Sequence, residues 1–231
     1  MTLTDLNGST YECQKLIMTC GSWSKGLLKD LGLELPLLPI RVDVPYWKIK
    51  DEYKDAYNIN RFPAGIYDKG PPQNTVKSED SEQFHVYWTP EKEYPGLIKI
   101  AFHGSFGGEI NPDYRDLNQA EGSKKVIKLV QKFVGLYFPG LECENGPAVL
   151  ESCIYTVLCL SCFRNINLFQ STPDDDFILD KHPQMPNIII GAGFSGHGFK
   201  MAPETGEILA DLATGKKPAY DMSPFSISRF D

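Results

Sequence analysis

The stretch that decides the fold runs from Thr172 to Lys200 and reads TPDDDFILDKHPQMPNIIIGAGFSGHGFK. Its segment Asn187–Gly191 contains three isoleucines in succession, a pattern typical of a strand that is buried on both faces. Glycines then recur through the turn and remove side chains, so the backbone can approach a bulky ligand closely. A helix over 202–213, ended by Gly215, is predicted next. A strand, a glycine turn and a helix N-terminus can bind an anionic cofactor through backbone N–H groups, which indicates a large cofactor.

The segment Gly191–Gly196 also matches the GxGxxG pattern of dinucleotide-binding folds literally. That fold requires a second parallel strand after the helix and an acidic residue about 20 positions further on. The residues that follow the helix are instead the Pro- and Ser-containing segment 217–231, in which no strand is predicted. The stretch is therefore not the opening βαβ unit of a Rossmann domain.

The motifs FILDKHP and NIIIGAGFSGHGFKMAP, with the terminal DMSPFSISRF, resemble the C-terminal part of the monomeric sarcosine oxidase family. Within that family the chain is most similar to the peroxisomal sarcosine oxidases, also called L-pipecolate oxidases. The resemblance extends upstream through Glu151–Thr156, Glu93–Gly104 and Leu16–Trp23. Family members begin with a true GxGxxG βαβ unit, roughly the first third of the protein. This chain lacks that unit, so we expect a truncated member of the family.

The resemblance implies an α/β (α+β) fold with an incomplete FAD-binding domain and a mixed, antiparallel-rich β-sheet substrate domain. Residues 1–34 are then a remnant of the FAD-binding domain, 35–150 form the substrate domain, and 151–231 return to the FAD-binding domain. Residues 157–171 separate two halves that relatives join directly, which indicates a retained intron or a faulty gene model, with a genuine insertion as the alternative. We also expect an exposed sheet edge where the missing strands would pair.

Local patterns predict the remaining elements. Ser22 is a candidate N-cap for a short helix that Gly32 ends, and residues 71–80 have the composition of a polar loop. The other predicted elements are a strand over 11–20, strands at about 41–47, 83–88 and 97–103, and a helix over 123–137 that ends at Pro139-Gly140.

Composition and charge exclude some classes of partner. The chain of 231 residues has a net charge of −7 and an isoelectric point near 5.2, whereas nucleic-acid binding needs a basic face. No apolar run reaches membrane-spanning length and the first ten residues are too polar for a signal peptide, so no membrane partner is expected. Without a secretory signal, the six cysteines are predicted to be thiols.

The resemblance implies a peroxisomal location. The terminal Arg-Phe-Asp is not a peroxisomal targeting tripeptide, although relatives often carry one shortly after the matching segment. We therefore expect a chain that is clipped at both ends, with a cytoplasmic location as the alternative.

Cys153 matches the cysteine that is bonded covalently to the flavin ring in the family. The resemblance therefore implies FAD as the cofactor, attached through Cys153. The alternative is a buried, inert cysteine, which is the commoner fate of a lone cysteine. The matched motifs imply further cofactor contacts at Gly21, Trp23, Tyr155, Gly193, Gly196, His197, Gly198 and Phe199.

Lys99 is a charged residue in the apolar strand LIKIAF. The resemblance implies that it promotes the reaction of reduced flavin with oxygen. Strand alternation offers another interpretation, in which Lys99 faces water while Ile98 and Ile100 point inward. His103 follows four residues later and is predicted to share the face of Lys99, either as a catalytic residue or as a hydrogen-bonded structural one.

Lys200 closes GHGFK, and the resemblance implies that it binds the substrate carboxylate. The alternative is a surface lysine at a helix start, where the helix dipole makes a cation slightly unfavourable. Tyr87 matches a substrate-pocket tyrosine loosely, and Trp88 departs from the small, Gly-containing turn that the family has there. The pair Cys159 and Cys162 lacks a second pair or a nearby histidine, so no metal site is predicted.

Two classes of function follow. The resemblance implies an oxidase of amino-acid catabolism that acts on a secondary amino acid, sarcosine or L-pipecolate. Hydride would pass to FAD, and oxygen would reoxidise the flavin and give hydrogen peroxide. The full-length protein is expected to be a monomer. The alternative is a non-catalytic fragment or small binding domain that lacks the N-terminal dinucleotide-binding unit.

Overall fold

A computed structural model of the chain describes residues 1–68, 85–103, 109–113, 121–158 and 176–230. It contains two compact units. The first, here called the terminal unit, comprises Met1–Pro39 and Tyr155–Asp231, and the second, the middle unit, comprises Ile40–Ile154. The assignment of 1–34, 35–150 and 151–231 to functional domains stays a prediction.

The described residues form a mixed α/β structure, as expected from the sequence. In chain order its elements are β1 (Thr2–Thr4), β2 (Thr10–Glu12), β3 (Leu16–Met18), α1 (Ser24–Asp30), β4 (Leu37–Ile49), β5 (Gly65–Asp68), β6 (His85–Thr89), β7 (Leu97–Phe102), α2 (Glu121–Tyr137), β8 (Leu141–Glu142), β9 (Val149–Leu158), β10 (Ile178–Lys181), β11 (Ile188–Ala192) and α3 (Ala202–Thr214). Short 3₁₀ turns lie at Gly21–Trp23, Asp51–Tyr53, Phe199–Met201, Ser223–Phe225 and Ile227–Phe230.

The terminal unit is built on a sheet of order β10-β11-β3. Strand β11 runs antiparallel to β10 and parallel to β3, with Ile188 opposite Leu16 and Ile190 opposite Met18. All five residues of β11 are buried. Ile188 and Ile190 pack in one core cluster and Ile189 in another, beside the α3 residues Ile208 and Leu209. The predicted strand with two buried faces is therefore confirmed.

The prediction of one continuous strand over 11–20 is wrong. Residues Thr10–Glu12 pair with β1 in a separate two-stranded sheet, whereas Leu16–Met18 pair with β11. The chain changes partner within a few residues, and a run of extended residues carries no local signal for such a change.

Ser22 is not the N-cap of α1. It is buried within the 3₁₀ turn Gly21–Trp23, and α1 begins at Ser24 without a side-chain cap. The predicted end of the helix is confirmed, since Gly32 adopts a φ of 79° and its N–H bonds to the carbonyl of Lys29. The predicted end of α3 is also confirmed by Gly215, whose φ is 77°.

The middle unit is a sheet of order β5-β6-β7-β4-β8, in which β9 also pairs with β4. The registers of β5 with β6, β6 with β7, and β7 with β4 are antiparallel. Helix α2 covers one face, because Val126, Val130, Phe133 and Val134 point into the core with 3% exposure or less. Ile98 and Ile100 of β7 are fully buried in the same cluster.

Several sequence predictions lie partly or wholly outside the described residues. They concern the polar loop at 71–80, the pair Cys159 and Cys162, and most of the predicted insertion, of which only Val157 and Leu158 are described, at the end of β9. Cys13, Cys20 and Cys143, which are described, are free thiols. Among the helices of the described ranges, none combines the length and apolar character needed to cross a membrane.

Trp88 belongs to the helix-covered side of the middle sheet. Its ring packs on Phe138 at 5.4 Å between centroids, and its Nε1–H donates to the carbonyl of Pro63 at 3.1 Å. The ring also lies against Gly65, where a Cβ atom would be 2.3 Å from Trp88 Cζ2. Glycine at position 65 is therefore a requirement of the Trp88 packing.

We predict that Gly65→Ala lowers the free energy of unfolding by about 1–3 kcal/mol, the usual cost of overpacking a core. Urea denaturation measures the change. Gly135→Ala, in α2, is the matched control, because its Cβ would be 3.4 Å from Cys143 Sγ. The control should be neutral or stabilising by up to about 1 kcal/mol, the helix propensity gained. Equal stability of Gly65→Ala and wild type would contradict the packing argument.

Candidate functional site

The middle sheet has a second face, opposite α2, which carries polar side chains. In the antiparallel register Lys99 lies opposite Tyr46 on one side and Thr89 on the other, and Tyr87 lies opposite Ala101. His103 follows the end of β7 and continues this alternation, with its N–H bonded to the carbonyl of His85. We call this face, which includes Tyr46, Tyr87, Thr89, Lys99 and His103, the polar face. The structure thus places three sequence-predicted catalytic candidates on one surface.

Lys99 is neither in the core nor free in solvent. Its side chain is only 18% exposed, although it points away from Ile98 and Ile100 as strand alternation requires. Its ammonium lies 2.5 Å from Glu93 Oε1 and 5.7 Å from the centroid of the Tyr46 ring. The sheet therefore holds a paired cation that is shielded from solvent on one side by an aromatic ring.

Glu93 is held in its charged form by this contact. Partial burial alone would raise the pKa of the Glu93 carboxyl, but the hydrogen bond and positive charge of Lys99 outweigh it, and the pKa is lowered. The carboxylate is therefore ionised at neutral pH. Its favourable interaction is present above the ordinary glutamate pKa and is lost as the pH falls through the lowered value.

A second layer fixes the Tyr46 ring. Tyr46 is 4% exposed, and the Tyr94 ring meets it edge-on, with centroids 4.8 Å apart and planes at 88°. The Tyr94 hydroxyl donates to the Glu151 carboxylate, an interaction that raises the pKa of Tyr94. Glu151 lies on β9, two residues before Cys153. We call Tyr46, Glu93, Tyr94, Lys99 and Glu151 the Lys99 network.

Four members of this network were not predicted from the sequence, namely Tyr46, Glu93, Tyr94 and Glu151. Tyr46 and Glu151 come from strands distant in the chain, so no local spacing indicates their contact. Glu93 lies only six residues before Lys99, but Gly96, at φ 77°, intervenes and brings the two side chains together. An acidic residue shortly before a lysine-bearing strand is the one signal that was available.

Tyr87 and His103 contact each other on the polar face. Their ring centroids are 6.4 Å apart in an edge-to-face arrangement of 77°. Tyr87 is half-buried and His103 is exposed. Their predicted roles in substrate binding or proton transfer stay predictions, as does the role of Lys99.

The terminal unit presents two turns at one edge of its sheet. Strands β3 and β11 are parallel neighbours, so the turn Gly21–Trp23 and the glycine turn 193–198 both follow the carboxyl ends of their strands. Ligands of α/β sheets bind outside the carboxyl ends of the strands. Gly21 has a φ of 55° and Trp23 is 41% exposed, so the first turn offers a left-handed glycine and an accessible aromatic ring.

The glycine turn has a backbone that few side chains tolerate. Gly193, Ser195 and Gly196 have φ values of 68°, 46° and 77°, and a left-handed non-glycine residue such as Ser195 marks local strain. At Gly198 a Cβ atom would lie 2.6 Å from Phe194 Cβ. His197 packs on Phe177 at 5.0 Å, with its Nδ1 3.1 Å from the carbonyl of Ser195. The residues of this turn therefore pack closely against one another.

Lys200 follows this turn within the 3₁₀ turn Phe199–Met201, just before α3. Lys200 and Phe199 are exposed, Phe199 almost completely at 98%. The Lys200 side chain forms no hydrogen bond or ion pair with any other residue that the structure describes. Its ammonium group is therefore available for an anionic ligand near the helix start.

These residues fit part of a flavin site. Two left-handed glycine turns at the carboxyl ends of parallel strands allow close approach of a flat polar ring to the backbone. Cys153 and Tyr155 lie on β9, but their side chains are outside the described part of the structure. Covalent attachment through Cys153 therefore stays a prediction. Within the described ranges, no group of three or more His, Cys, Asp or Glu side chains could hold a metal ion.

Comparison with known proteins defines the class. Residues 2–212 match the family described as FAD dependent oxidoreductase, and the chain belongs to that family. It is 38% identical over 222 residues to the peroxisomal sarcosine oxidase of Homo sapiens, covering 96% of this chain and 49% of the relative. It is 34% identical to the monomeric sarcosine oxidase of Bacillus sp. (strain NS-129), covering 99% of this chain and 50% of the relative. The chain thus spans about half the length of these curated relatives, and the resemblance noted in its motifs is confirmed.

Solved structures show the same fold at low identity. The chain is similar to glycine oxidase from Geobacillus kaustophilus, with a TM-score of 0.65 and 17% identity over 99% of this chain and 48% of that one. It is similar to NikD, an amino acid oxidase of nikkomycin biosynthesis, with a TM-score of 0.65 and 17% identity over 97% of this chain and 52% of that one. The α/β fold assigned from the sequence is therefore confirmed.

We predict that Gly196→Ala lowers the free energy of unfolding by about 1–2 kcal/mol, the cost of a left-handed backbone for a residue with a Cβ. Gly206→Ala in α3 is the matched control, because its Cβ would meet no atom within 4 Å. The control should gain up to about 1 kcal/mol from helix propensity. Thermal unfolding of both variants measures the difference, and a neutral Gly196→Ala would contradict the left-handed assignment.

Proposed function

We propose that the protein to which this chain belongs is a flavin-dependent oxidase of secondary amino acids, with sarcosine or L-pipecolate as substrate and hydrogen peroxide as product. The proposal rests on the family match over residues 2–212. The two curated relatives described above are sarcosine oxidases. The two glycine turns and the position of Lys99 on the polar face support the proposal. By the names of the same relatives, we propose a peroxisomal location and a monomeric full-length protein.

When bound, FAD would supply the redox chemistry, namely hydride acceptance from the carbon next to the amine nitrogen and transfer of two electrons to oxygen, which with two protons gives hydrogen peroxide. The chain supplies placement and charge. The turns that contain Gly21, Trp23, Gly193, Gly196 and Gly198 would offer backbone N–H groups and close approach. His197, Phe199 and Tyr155 would contact the cofactor, and Cys153 would attach it through its sulfur.

Two lysines would act on the reactants. The Lys200 ammonium would bind the substrate carboxylate by a charge-assisted hydrogen bond and so orient the amine. Lys99 would provide positive charge where oxygen becomes negatively charged as it accepts electrons. Tyr87 and His103 would line the substrate side of the polar face, where the His103 ring could accept or donate a proton.

The covalent attachment is tested by the absorbance of acid-precipitated protein. We predict that the chain, expressed with flavin available, keeps its yellow colour in the pellet and that Cys153→Ala loses it. Cys143→Ala is the matched control, because Cys143 is a free thiol of the same unit and should not affect the colour.

A colourless wild-type pellet would favour the second candidate, a non-catalytic fragment or binding domain, which the coverage of only half of each relative supports. The same spectrum would then be recorded after adding the N-terminal third of a relative and deleting residues 157–171. A second colourless pellet would contradict the role of Cys153.

Removal of the Lys200 charge tests substrate binding. We predict that Lys200→Gln in the flavin-loaded protein raises the KM for sarcosine about 10- to 100-fold, since a hydrogen bond to a charged group contributes about 1.5–3 kcal/mol. The exposed Lys217, also in the terminal unit, provides the control Lys217→Gln, for which KM should not change. An unchanged KM in Lys200→Gln would indicate a surface lysine without a binding role.

A further inference from the structure

The Lys99–Glu93 contact differs from two other lysine–carboxylate pairs that the structure describes in the middle unit. Lys48 and Glu142 lie 2.9 Å apart with side chains 56% and 48% exposed, and Lys54 and Asp51 lie 2.8 Å apart with 60% and 89% exposed. In the Lys99 pair the lysine is 18% and the glutamate 42% exposed. Exposed pairs are screened by water and contribute little, whereas a cation that is mostly withdrawn from water depends on its counter-ion.

The surroundings of Lys99 leave Glu93 as its one anionic partner among the described residues. Tyr46 from β4 and Thr89 from β6 flank Lys99 in the register, and both are neutral. Glu151, the other acid of the network, is occupied by the Tyr94 hydroxyl. The Tyr46 ring lies on one side of the Lys99 ammonium, and the Glu93 carboxylate forms an ion pair with it. These two contacts define the position of the ammonium.

A lysine ammonium that stabilises charge at a defined position must be held there by another group. Its four-carbon stem carries a large rotamer entropy, so an unpaired ammonium would sample many positions. Electrostatic stabilisation of a developing charge requires groups that are already in place before the charge forms. The family match and the fold do not assign any role to Glu93.

We propose that Glu93 is a positioning residue, which holds the Lys99 ammonium against Tyr46 so that its charge is in place when oxygen is reduced. This inference rests on the function proposed above for Lys99. Glu93 itself neither gives nor takes a proton in this role. Its pKa is lowered by Lys99, so the carboxylate stays ionised at neutral pH and the contact is lost only as the pH falls through that lowered value.

Chemical labelling tests the contact without any cofactor. The full chain is treated briefly with acetic anhydride at pH 8, and the acetylated fraction of each lysine is measured by mass spectrometry. In Glu93→Gln, acetylation of Lys99 should rise at least about threefold, because the freed side chain loses its counter-ion. In Glu93→Asp, which keeps the charge, the rise should be smaller. Glu142→Gln is the matched control: because the Lys48 pair is exposed, labelling of Lys48 should rise less than labelling of Lys99 rises in Glu93→Gln, and labelling of Lys99 should not change.

Stopped-flow kinetics of the flavin-loaded enzyme test the function. Glu93→Gln should slow reoxidation of reduced flavin by oxygen about tenfold, a loss of roughly 1.4 kcal/mol of transition-state stabilisation. Anaerobic reduction by sarcosine should change less than about twofold, and Glu93→Asp should restore part of the reoxidation rate. Lys99→Met should slow reoxidation at least as much as Glu93→Gln. Circular dichroism checks that each variant is folded.

The outcomes separate the two proposals. Unchanged Lys99 labelling in both Glu93 variants would overturn the positioning role. Increased labelling with unchanged reoxidation in Glu93→Gln, while Lys99→Met is slow, would also overturn it and leave the function of Lys99 intact. Normal reoxidation in Lys99→Met would refute the function proposed for Lys99, and with it the inference about Glu93.

Discussion

The terminal unit depends on the parallel pairing of β11 with β3. The strand Ile188–Ala192 is buried throughout, and its register with Leu16–Met18 joins segments that are about 170 residues apart. Parallel strands cannot be joined by a tight turn, so the chain between them must leave the sheet and return. The same pairing brings the turns after both strands to one edge. Burial of three isoleucines thus determines where these two turns lie.

In the middle unit, the core on one face of the sheet determines what the other face presents. Ile98 and Ile100 are fully buried beneath α2, and a shift of one residue in β7 would move Lys99 into that core. Burial of an unpaired charge is costly. Burial of the two isoleucines and exclusion of Lys99 from the core therefore favour the same register of β7. The polar face is therefore a consequence of the packing beneath it. Trp88 also belongs to the core face of the sheet, because its ring packs against Gly65 and not on the polar face beside Lys99.

The charged contact on the polar face also depends on packing and strand pairing. The aromatic pair Tyr46 and Tyr94 is placed by strand pairing and by the Glu151 carboxylate. That pair shields one side of Lys99, and reduced contact with water strengthens its interaction with Glu93. A network drawn from three strands and one loop can therefore keep a cation in a defined position on the polar face of the sheet.

The sequence alone determined β11, α2, α3 and the end of α3 at Gly215, because these depend on local apolar periodicity and on the left-handed backbone of glycine. It also indicated, through alternation, that Lys99 and His103 share a face. Only the tertiary structure decided that residues 11–20 are divided between two sheets, and that Lys99 contacts Glu93 and Tyr46. Strand partners and ion pairs are chosen by groups distant in the chain or beyond a turn, and such contacts leave no period in the sequence.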